Sequence, residues 1–354
     1  MSQERVPVTV LTGYLGAGKT TLVNRILSED HGRRYAVIVN EFGEIGIDGD
    51  LIVGADEELF EMNNGCVCCT VRGDLIRTLH ALLEQSRGSA RPFDAIIVET
   101  TGLADPGPVA QTFFVDPVLQ AGTVLDSVTT VVDAAHIERR LYDSREAAEQ
   151  IAFADQIVLN KIELVGPDQL LAIEARLRRL NPLAPIHRTQ RAQLALEKIL
   201  ARGGFDLERI VSLEPQFLAA TPPADAAHVH HEHCGHSHDQ GNEHVHDHVH
   251  DHGIGSVSLS SNRPMDSALL SRWLQALVAA QGQDILRLKG IIDVQGEARR
   301  MVVQGVHMLL EGDLQRPWRP DEPRSSRLVF IGRGLDAALL QAGLDGCAAA
   351  PVSP

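Results

Sequence analysis

The sequence lacks any apolar run approaching the ~18 residues needed to span a bilayer, and its first residues do not resemble a signal peptide. It also lacks a basic excess, since the formal net charge is −15, whereas the phosphates of nucleic acid require basic patches. Cysteine is scarce, with five in 354 residues, and the clustering of these thiols is typical of a reducing compartment. We therefore expect a cytoplasmic protein with neither a membrane nor a nucleic-acid partner.

Three of the five cysteines occupy four positions, at Cys66, Cys68 and Cys69. Thiolate sulfur is a good ligand for Zn²⁺ and other borderline-soft divalent ions, which usually take four tetrahedral ligands. The Cys-x-Cys-Cys pattern therefore predicts a metal half-site whose fourth ligand comes from elsewhere. Two alternatives are a set of small buried apolar side chains and a disulfide, which would be strained between neighbouring cysteines.

A second motif begins at Gly13 and reads GYLGAGKT, which satisfies the phosphate-loop pattern of glycine, four residues, glycine, lysine and threonine. It follows a β-prone run at residues 8–12 and precedes apolar residues at helical spacing. Backbone N–H groups of such a loop and helix start surround phosphate oxygens. We expect Lys19 to reach the β- and γ-phosphates and Thr20 to ligate Mg²⁺. The predicted nucleotide contacts of this motif are Gly13, Gly16, Ala17, Gly18, Lys19, Thr20 and Thr21.

Two later segments lie where a phosphate-loop NTPase needs them. An apolar run ends in Glu99, whose carboxylate can hold a Mg²⁺-bound water or orient the attacking water, and Gly102 lets a backbone N–H approach the γ-phosphate. Farther on, residues 160–163 have the sequence NKIE, which resembles the Asn-Lys-x-Asp motif by which GTPases recognise guanine. Glu163 replaces the aspartate of that motif and is one methylene longer. The predicted base contacts are Asn160, Lys161 and Glu163. The predicted catalytic residues are Glu99, Lys19, Thr20 and Gly102.

Strand-like and helix-like patterns alternate over the first two hundred residues, which predicts an α/β fold with a mostly parallel sheet covered by helices on both faces. Ligands of such sheets bind at the carboxyl ends of the strands, and all of these nucleotide motifs follow predicted strands. Beyond residue 254 the pattern predicts a smaller α+β module. The predicted strands are 8–12, 36–40, 95–99, 127–133 and 156–160, then 256–260, 285–292, 300–309 and 327–331. The predicted domains are a nucleotide-binding domain at 5–215, a linker at 216–254 and a C-terminal domain at 255–345.

The predicted linker contains a histidine tract from His228 to His252, in which eleven of twenty-five residues are histidine. Such a sequence cannot bury a core and is expected to be disordered without metal. Its imidazoles are mostly neutral near pH 7 and can bind Zn²⁺, Co²⁺ or Ni²⁺. We interpret the tract as a loose capture site and the cysteine motif as the delivery site. The alternative is a solvated spacer.

With these motifs, the chain resembles the CobW/YjiA-type GTPases, a metal-chaperone group that also includes the nickel-insertion GTPases for urease and hydrogenase. The resemblance covers nearly the whole length and is carried by the motifs above together with NEFGEIGID at 40–48, ETTGLADP at 99–106 and RPW at 316–318. The ETTGLADP sequence is nearer to that of the YjiA branch, which implies that the bound metal is zinc rather than cobalt. The resemblance also implies that GTP with Mg²⁺ assembles a tight metal site and that hydrolysis on a client releases the ion. Glu41, Glu44 and Asp48 are candidate ligands of Mg²⁺ or of the metal.

Together these patterns predict a Mg²⁺-dependent GTPase that delivers Zn²⁺, or Co²⁺ or Ni²⁺, to an unidentified client metalloprotein. Slow intrinsic turnover is expected because no arginine finger is evident; Arg72 is a candidate, in cis or across a homodimer. One alternative is cobalt delivery for cobalamin synthesis by the same machinery. Another is a metal buffer with a regulatory nucleotide site. Thiol redox signalling is a third, which requires an exposed cysteine of low pKa.

Overall fold

The computed structural model describes residues 5–29, 32–40, 59–62, 68–88, 93–200 and 252–350 of the chain. At residues 40, 59–62, 68–72 and 87–88 it describes the backbone alone. The predictions for Glu41, Glu44, Asp48 and Cys66 and for the histidine tract up to residue 251 lie outside these residues. The side chains predicted to act at Cys68, Cys69 and Arg72 also lie outside what is described. Of the helices in the described ranges, none is both long and apolar enough to cross a membrane.

The first module contains a seven-stranded parallel sheet in the order β3-β2-β4-β1-β5-β6-β7. Five of its strands were predicted, whereas the short edge strands β3 and β7 were not. The strands are β1 Val6–Thr12, β2 Tyr35–Asn40, β3 Leu59–Met62, β4 Ala95–Glu99, β5 Thr123–Asp133, β6 Gln156–Asn160 and β7 Ile186–Arg188. The helices are α1 Lys19–Ser28, α2 Cys68–Gly88, α3 Pro106–Val115, α4 Pro117–Gly122, α5 Ile137–Asp143, α6 Arg145–Phe153 and α7 Pro167–Leu180.

Helices cover both faces of this sheet. Successive residues of each central strand point to opposite faces, and both faces are apolar. In β1, Val10 packs with Ile96 and Ile38 on one face, and Leu11 packs with Ile97 on the other. All of these side chains are buried. This double burial explains why the central strands read as continuous apolar runs.

The second module is a five-stranded antiparallel sheet in the order β11-β10-β9-β12-β8. Its elements are β8 Ile254–Ser261, α8 Ser267–Gln281, β9 Ile285–Ile292, β10 Arg299–Val306, β11 Leu309–Pro317, β12 Ser326–Arg333 and α9 Ala337–Asp345. The strand predicted at 300–309 corresponds to β10, but it ends at Val306 because the chain turns at His307, whose φ is 50°. Strand β11, which was not predicted, returns beside β10. Apolar residues continue through this turn, so the hydrophobic pattern shows no break there.

The two modules share one hydrophobic core. Ile291 and Val302, on one face of the second sheet, belong to the same buried cluster as Phe153 of α6 and Leu177 of α7. The opposite face packs against α8 and α9 in a separate cluster centred on Phe330. The second sheet is therefore covered on both faces, once by its own helices and once by the first module.

A cluster of buried charges also crosses the boundary between the modules. Asp155, which lies between α6 and β6, accepts hydrogen bonds from the side chains of Arg287 and Lys289 on β9, the latter at 2.6 Å. Its other carboxylate oxygen accepts from the backbone N–H of Val128 at 2.9 Å. Burial raises the pKa of Asp155, but Arg287 and Lys289 lower it more, so that the net shift is downward. Burial lowers the pKa of Lys289 to about 8. Asp155 thus pairs with two buried cations of the second module.

Candidate functional site

The loops that carry the nucleotide motifs meet at one edge of the parallel sheet. In the strand register, Leu11 lies beside Glu99, Thr12 beside Thr130 and Asp133 beside Asn160. Parallel strands end at the same edge of a sheet, so the segments that follow β1, β4, β5 and β6 converge there.

The phosphate loop between β1 and α1 requires glycine at two positions. Gly13 has φ 140°, and a Cβ there would lie 2.2 Å from the carbonyl oxygen of Val131. Gly18 has φ 109°, and a Cβ there would lie 2.5 Å from the side-chain amide of Asn160. Gly18 is also the N-cap of α1 and provides no side-chain cap. The first-turn N–H groups of α1 are therefore available to an anion rather than to a capping side chain.

Lys19, Thr20 and Glu99 form the polar centre of the site. The Lys19 ammonium donates to the carbonyl oxygen of Gly13 at 2.9 Å, which folds this buried side chain back along the phosphate loop. The Thr20 hydroxyl donates to the carboxylate of the buried Glu99 at 3.5 Å. Hydroxyl and carboxylate oxygens are the hard donors that Mg²⁺ prefers. This donor pair therefore fits a Mg²⁺ ion held next to the phosphates.

The side chains of Asn160 and Lys161 hydrogen-bond to the backbone of the phosphate loop. The buried Asn160 amide donates to the carbonyl oxygen of Ala17 at 2.9 Å, and its oxygen accepts from the N–H of Ala192 at 2.9 Å. The Lys161 ammonium donates to the carbonyl oxygen of Gly16 at 2.7 Å. These contacts join the phosphate loop to the β6 loop.

Asp133, at the end of β5, provides the counter-charge of Lys161 at 2.7 Å. Burial raises the pKa of this carboxyl, but hydrogen bonds from Lys161 and His136 lower it more, so that the net shift is downward. Asp133 is therefore ionised at neutral pH. Lys161 itself has a left-handed backbone conformation, with φ 61°, and begins the turn that carries Glu163.

The segment after Glu99 packs directly against the phosphate loop. A Cβ at Gly102 would lie 2.6 Å from the backbone nitrogen of Leu15, so only glycine allows this approach. The Thr100 hydroxyl donates to that of Thr12 at 2.9 Å, which ties the segment to β1. The buried hydroxyl of Thr101 has no hydrogen-bond partner among the described residues. This segment can therefore present backbone and hydroxyl groups to a phosphate.

Most of the predicted nucleotide residues are brought together by these contacts: Gly13, Gly16, Ala17, Gly18, Lys19, Thr20, Glu99, Gly102, Asn160 and Lys161. Thr21 is exposed on α1, and Glu163 is exposed in the turn after Lys161. The ligand-binding roles of all the predicted site residues, including those brought together, stay predictions.

Three residues of the site were not identified from the sequence. Asp133 ends a predicted strand, so the rule that ligands bind at strand carboxyl ends could have found it. Ala192 lies in a loop where it and Arg191 have φ values of 55° and 48°, and no sequence pattern marks this loop. Gln150 of α6 donates to the carbonyl oxygens of Gly102 and Ala104 and looks like an ordinary helix residue in the sequence.

A cavity of about 210 Å³ lies beside the phosphate loop, between the end of β5 and helices α5 and α6. The residues that line it include Tyr14, Leu15, Gln150 and Ile151. The Arg140 guanidinium lies over the Tyr14 ring, 4.8 Å from its centroid. The cavity therefore adjoins the phosphate loop directly.

The predicted metal motif lies only partly within the described backbone. Strand β3 ends at Met62 beside Asn40 of β2, and α2 begins at Cys68. The motif therefore follows the carboxyl end of a strand, as the phosphate loop does. Within the described ranges, no group of three or more His, Cys, Asp or Glu side chains is arranged to hold a metal ion. Cys347 is buried in the second module, and burial raises the pKa of its thiol.

Two family descriptions match the chain. Residues 7–188 match the family described as CobW/HypB/UreG, nucleotide-binding domain. Residues 254–348 match the cobalamin synthesis protein CobW C-terminal domain. The two matches correspond to the parallel sheet and to the antiparallel sheet.

The chain is also similar to individual proteins over nearly its whole length. It is 34% identical over 342 residues to the zinc chaperone YjiA of Escherichia coli K12, covering 96% of this chain and 98% of that protein. It is 33% identical over 374 residues to the zinc chaperone CobW of a Sinorhizobium species, covering 97% of each. The crystal structure of the Zn(II)-bound YjiA GTPase from E. coli superimposes with a TM-score of 0.71 at 29% identity, covering 98% of this chain and 100% of that one.

Proposed function

Because this chain belongs to the CobW/HypB/UreG family of nucleotide-binding proteins, we propose that it is a GTP-hydrolysing metallochaperone that binds Zn²⁺ and delivers it to a client metalloprotein. The observation that carries the proposal is the convergence of Lys19, Glu99 and Asn160 on one phosphate loop. Phosphoryl transfer depends mainly on positioning and on electrostatic stabilisation of the phosphates, and this edge of the sheet supplies both.

In this proposal each residue of the site has one task. Lys19 leaves the carbonyl oxygen of Gly13 and neutralises charge on the β- and γ-phosphates. Thr20 and Glu99 would hold Mg²⁺, which would supply positive charge next to the phosphate oxygens. Gly102 brings a backbone N–H close to the γ-phosphate, where it stabilises the transferred group. Asn160, Lys161 and Glu163 hold the guanine base.

The metal half of the proposal is supported by the chemistry of the cysteine motif. Cys66, Cys68 and Cys69 supply the thiolate ligands that Zn²⁺ prefers, and the motif follows a strand that runs parallel to the strand ending in Glu99. Two of the similar proteins are named as zinc chaperones, one of them a CobW, which favours zinc over cobalt. The proposal includes a cytoplasmic location, an unidentified client protein and a homodimer.

The first prediction concerns the base. Replacing Glu163 by alanine is expected to weaken GTP and GDP binding about 10- to 100-fold and to leave ATP binding unchanged, because the carboxylate accepts two hydrogen bonds from the guanine edge. A bidentate base contact of this kind contributes about 1–3 kcal/mol of discrimination. Titration calorimetry with each nucleotide measures the effect.

The matched control is Glu197→Ala, which removes an exposed glutamate from the short turn Leu196–Lys198. It is expected to keep the preference of the wild type. Equal affinities of the wild-type protein for GTP and ATP would contradict guanine recognition. Phosphate-loop function would survive that result.

The second prediction concerns coupling between nucleotide and metal. With Mg²⁺ and a non-hydrolysable GTP analogue, Zn²⁺ affinity is expected to be at least about a hundredfold higher than with GDP, which corresponds to about 2.7 kcal/mol of coupling free energy. Linkage requires bound Zn²⁺ to tighten the analogue by the same factor. Competition with a chelator of known affinity measures the first effect, and nucleotide titration measures the second.

Two variants separate the predicted delivery site from other metal sites. Cys68→Ser is expected to abolish the tight site and the coupling, since a neutral hydroxyl is a poor substitute for a charged soft thiolate. Cys347→Ala, which removes a buried thiol of the second module, is expected to keep both. Deleting residues 228–252 should remove only weakly bound ions. Indistinguishable Zn²⁺ affinity in the analogue and GDP states would reject the chaperone mechanism and leave a metal buffer.

A further inference from the structure

We propose that the C-terminal domain is a positioning element for GTP hydrolysis, because helix α6 joins it to the segment that follows Glu99. On α6, Gln150 holds this segment, and the adjacent Glu149 is ion-paired with Arg333 of the C-terminal domain. The inference rests on the proposed GTPase function and deepens it.

Gln150 determines the orientation of two peptide groups next to the phosphate loop. Its side-chain amide donates to the carbonyl oxygens of Gly102 at 3.1 Å and Ala104 at 3.0 Å. The residue is 1% exposed, so these hydrogen bonds are shielded from water and hold their geometry. Gly102 already contacts Leu15 so closely that no side chain fits there. A displacement of Gln150 therefore moves the backbone that faces the phosphates.

Glu149 connects the same turn of α6 to the second sheet. Its carboxylate is buried and accepts hydrogen bonds from Arg145 at 2.6 Å and from Arg333, the last residue of β12. The backbone N–H of Arg333 donates to the carbonyl oxygen of Asp284 at 2.8 Å, which fixes the arginine within its own domain. A buried carboxylate with two arginine partners resists displacement more than an exposed pair does.

The far end of the segment also touches the C-terminal domain. Asp105 caps α3 by accepting from the N–H of Gly107 at 2.8 Å. A Cβ at Gly107 would lie 2.4 Å from the imidazole of His307, which packs against the Phe153 ring at a centroid distance of 4.9 Å. The sequence gives His307 no special context, yet the β10–β11 turn places it here. The C-terminal domain thus restrains the segment from two directions.

This arrangement predicts which kinetic parameters change when the restraint on the segment is lost. Restraint of the segment acts on the γ-phosphate and on the transition state, because GDP has no group for the segment to contact. Loss of an interaction that acts mainly in the transition state lowers kcat and leaves substrate binding nearly unchanged. A general loss of folding would instead weaken GDP and GTP binding together.

Gln150→Glu is the first test, since it keeps the shape of the side chain but replaces the amide donor by an acceptor that faces two carbonyl oxygens. We expect kcat for GTP to fall at least about tenfold, equivalent to about 1.4 kcal/mol, while KM and the Kd of GDP stay within about twofold. Gln156→Glu is the matched control, because Gln156 is buried in the same domain at the opposite end of β6. The control is expected to keep kcat.

Arg333→Met tests the connection from the other domain and replaces no residue of the nucleotide domain. We expect a fall in kcat of about threefold or more with unchanged GDP affinity, and recovery in Arg333→Lys. Combined with Gln150→Glu, it should add no further loss, because the two residues act through one path. The control, Arg324→Met, breaks an ion pair with Asp293 within the C-terminal domain and should keep kcat.

Several results would overturn the proposal: unchanged kcat in both Gln150→Glu and Arg333→Met, a parallel loss of GDP affinity, or fully additive effects in the double variant. Wild-type protein that hydrolyses no GTP would reject the proposed function instead. The inference is then tested by the ratio of affinities for GDP with aluminium fluoride, which mimics the transferred phosphoryl group in the transition state, and for GDP alone. Both variants are expected to lower this ratio and both controls to keep it; unchanged ratios would reject the inference.

Discussion

Lys19→Ala is expected to lower kcat for GTP hydrolysis by at least about 10²- to 10³-fold, because a preorganised donor to developing phosphate charge contributes an effect of this order. The Lys19 ammonium is buried and lies 2.9 Å from the carbonyl oxygen of Gly13, within the loop that surrounds the phosphates. Phosphate release under saturating GTP measures the change.

Lys198→Ala is the matched control, since Lys198 is exposed in the short turn before Ile199. It is expected to hydrolyse GTP at the wild-type rate. Thermal unfolding of both variants shows whether they are folded. If folded Lys19→Ala protein kept more than about a tenth of wild-type kcat, the assignment of Lys19 to the phosphates would be wrong.

Asp155→Asn is expected to reduce the free energy of unfolding by about 3–5 kcal/mol, because it removes a buried carboxylate that neutralises both Arg287 and Lys289. All three side chains are at most 4% exposed. Urea denaturation measures the change. In the control Asp293→Asn the lost partner is the half-exposed Arg324, so a loss of at most about 1 kcal/mol is expected. Similar losses in the two variants would contradict the importance of the buried cluster.

The pH dependence of stability tests Lys289 specifically. The folded protein releases this proton near pH 8, whereas the unfolded chain keeps it to about its ordinary pKa of 10.5. Between these values the unfolded state binds more protons, so this group makes the free energy of unfolding rise with pH, by about 1 kcal/mol per unit. Lys289→Met is expected to abolish this rise and to change stability by less than about 1.5 kcal/mol at pH 7. An identical pH dependence in the wild type and the variant would contradict the lowered pKa.

The parallel sheet was largely predictable, because its central strands are apolar on both faces and are followed by motifs that themselves require a strand end. The α/β fold with a second α+β module is confirmed by the two sheets. The short strands β3 and β7 were missed, since three or four residues carry no periodic signal. The hairpin at His307 was missed because its turn contains neither glycine nor proline.

The candidate site was predictable where backbone geometry demands particular residues. Gly13 and Gly18 have positive φ values, and such positions are visible as glycine in a fixed pattern. Gln150 and Asp133 contribute through side chains that reach the site from α6 and β5. Their positions depend on how distant elements pack, and a local sequence pattern contains no information about that packing.

The two modules differ in sheet topology, but because they share one hydrophobic core they are not separate units of stability. Ile291 and Val302 of the second sheet are buried in the same cluster as Phe153 and Leu177 of the first module. Separating the modules would expose this apolar strand face to water, where such faces promote association. Evolution by exchange of the first module for a foreign one therefore requires the new neighbour to supply a matching apolar face and a carboxylate to replace Asp155.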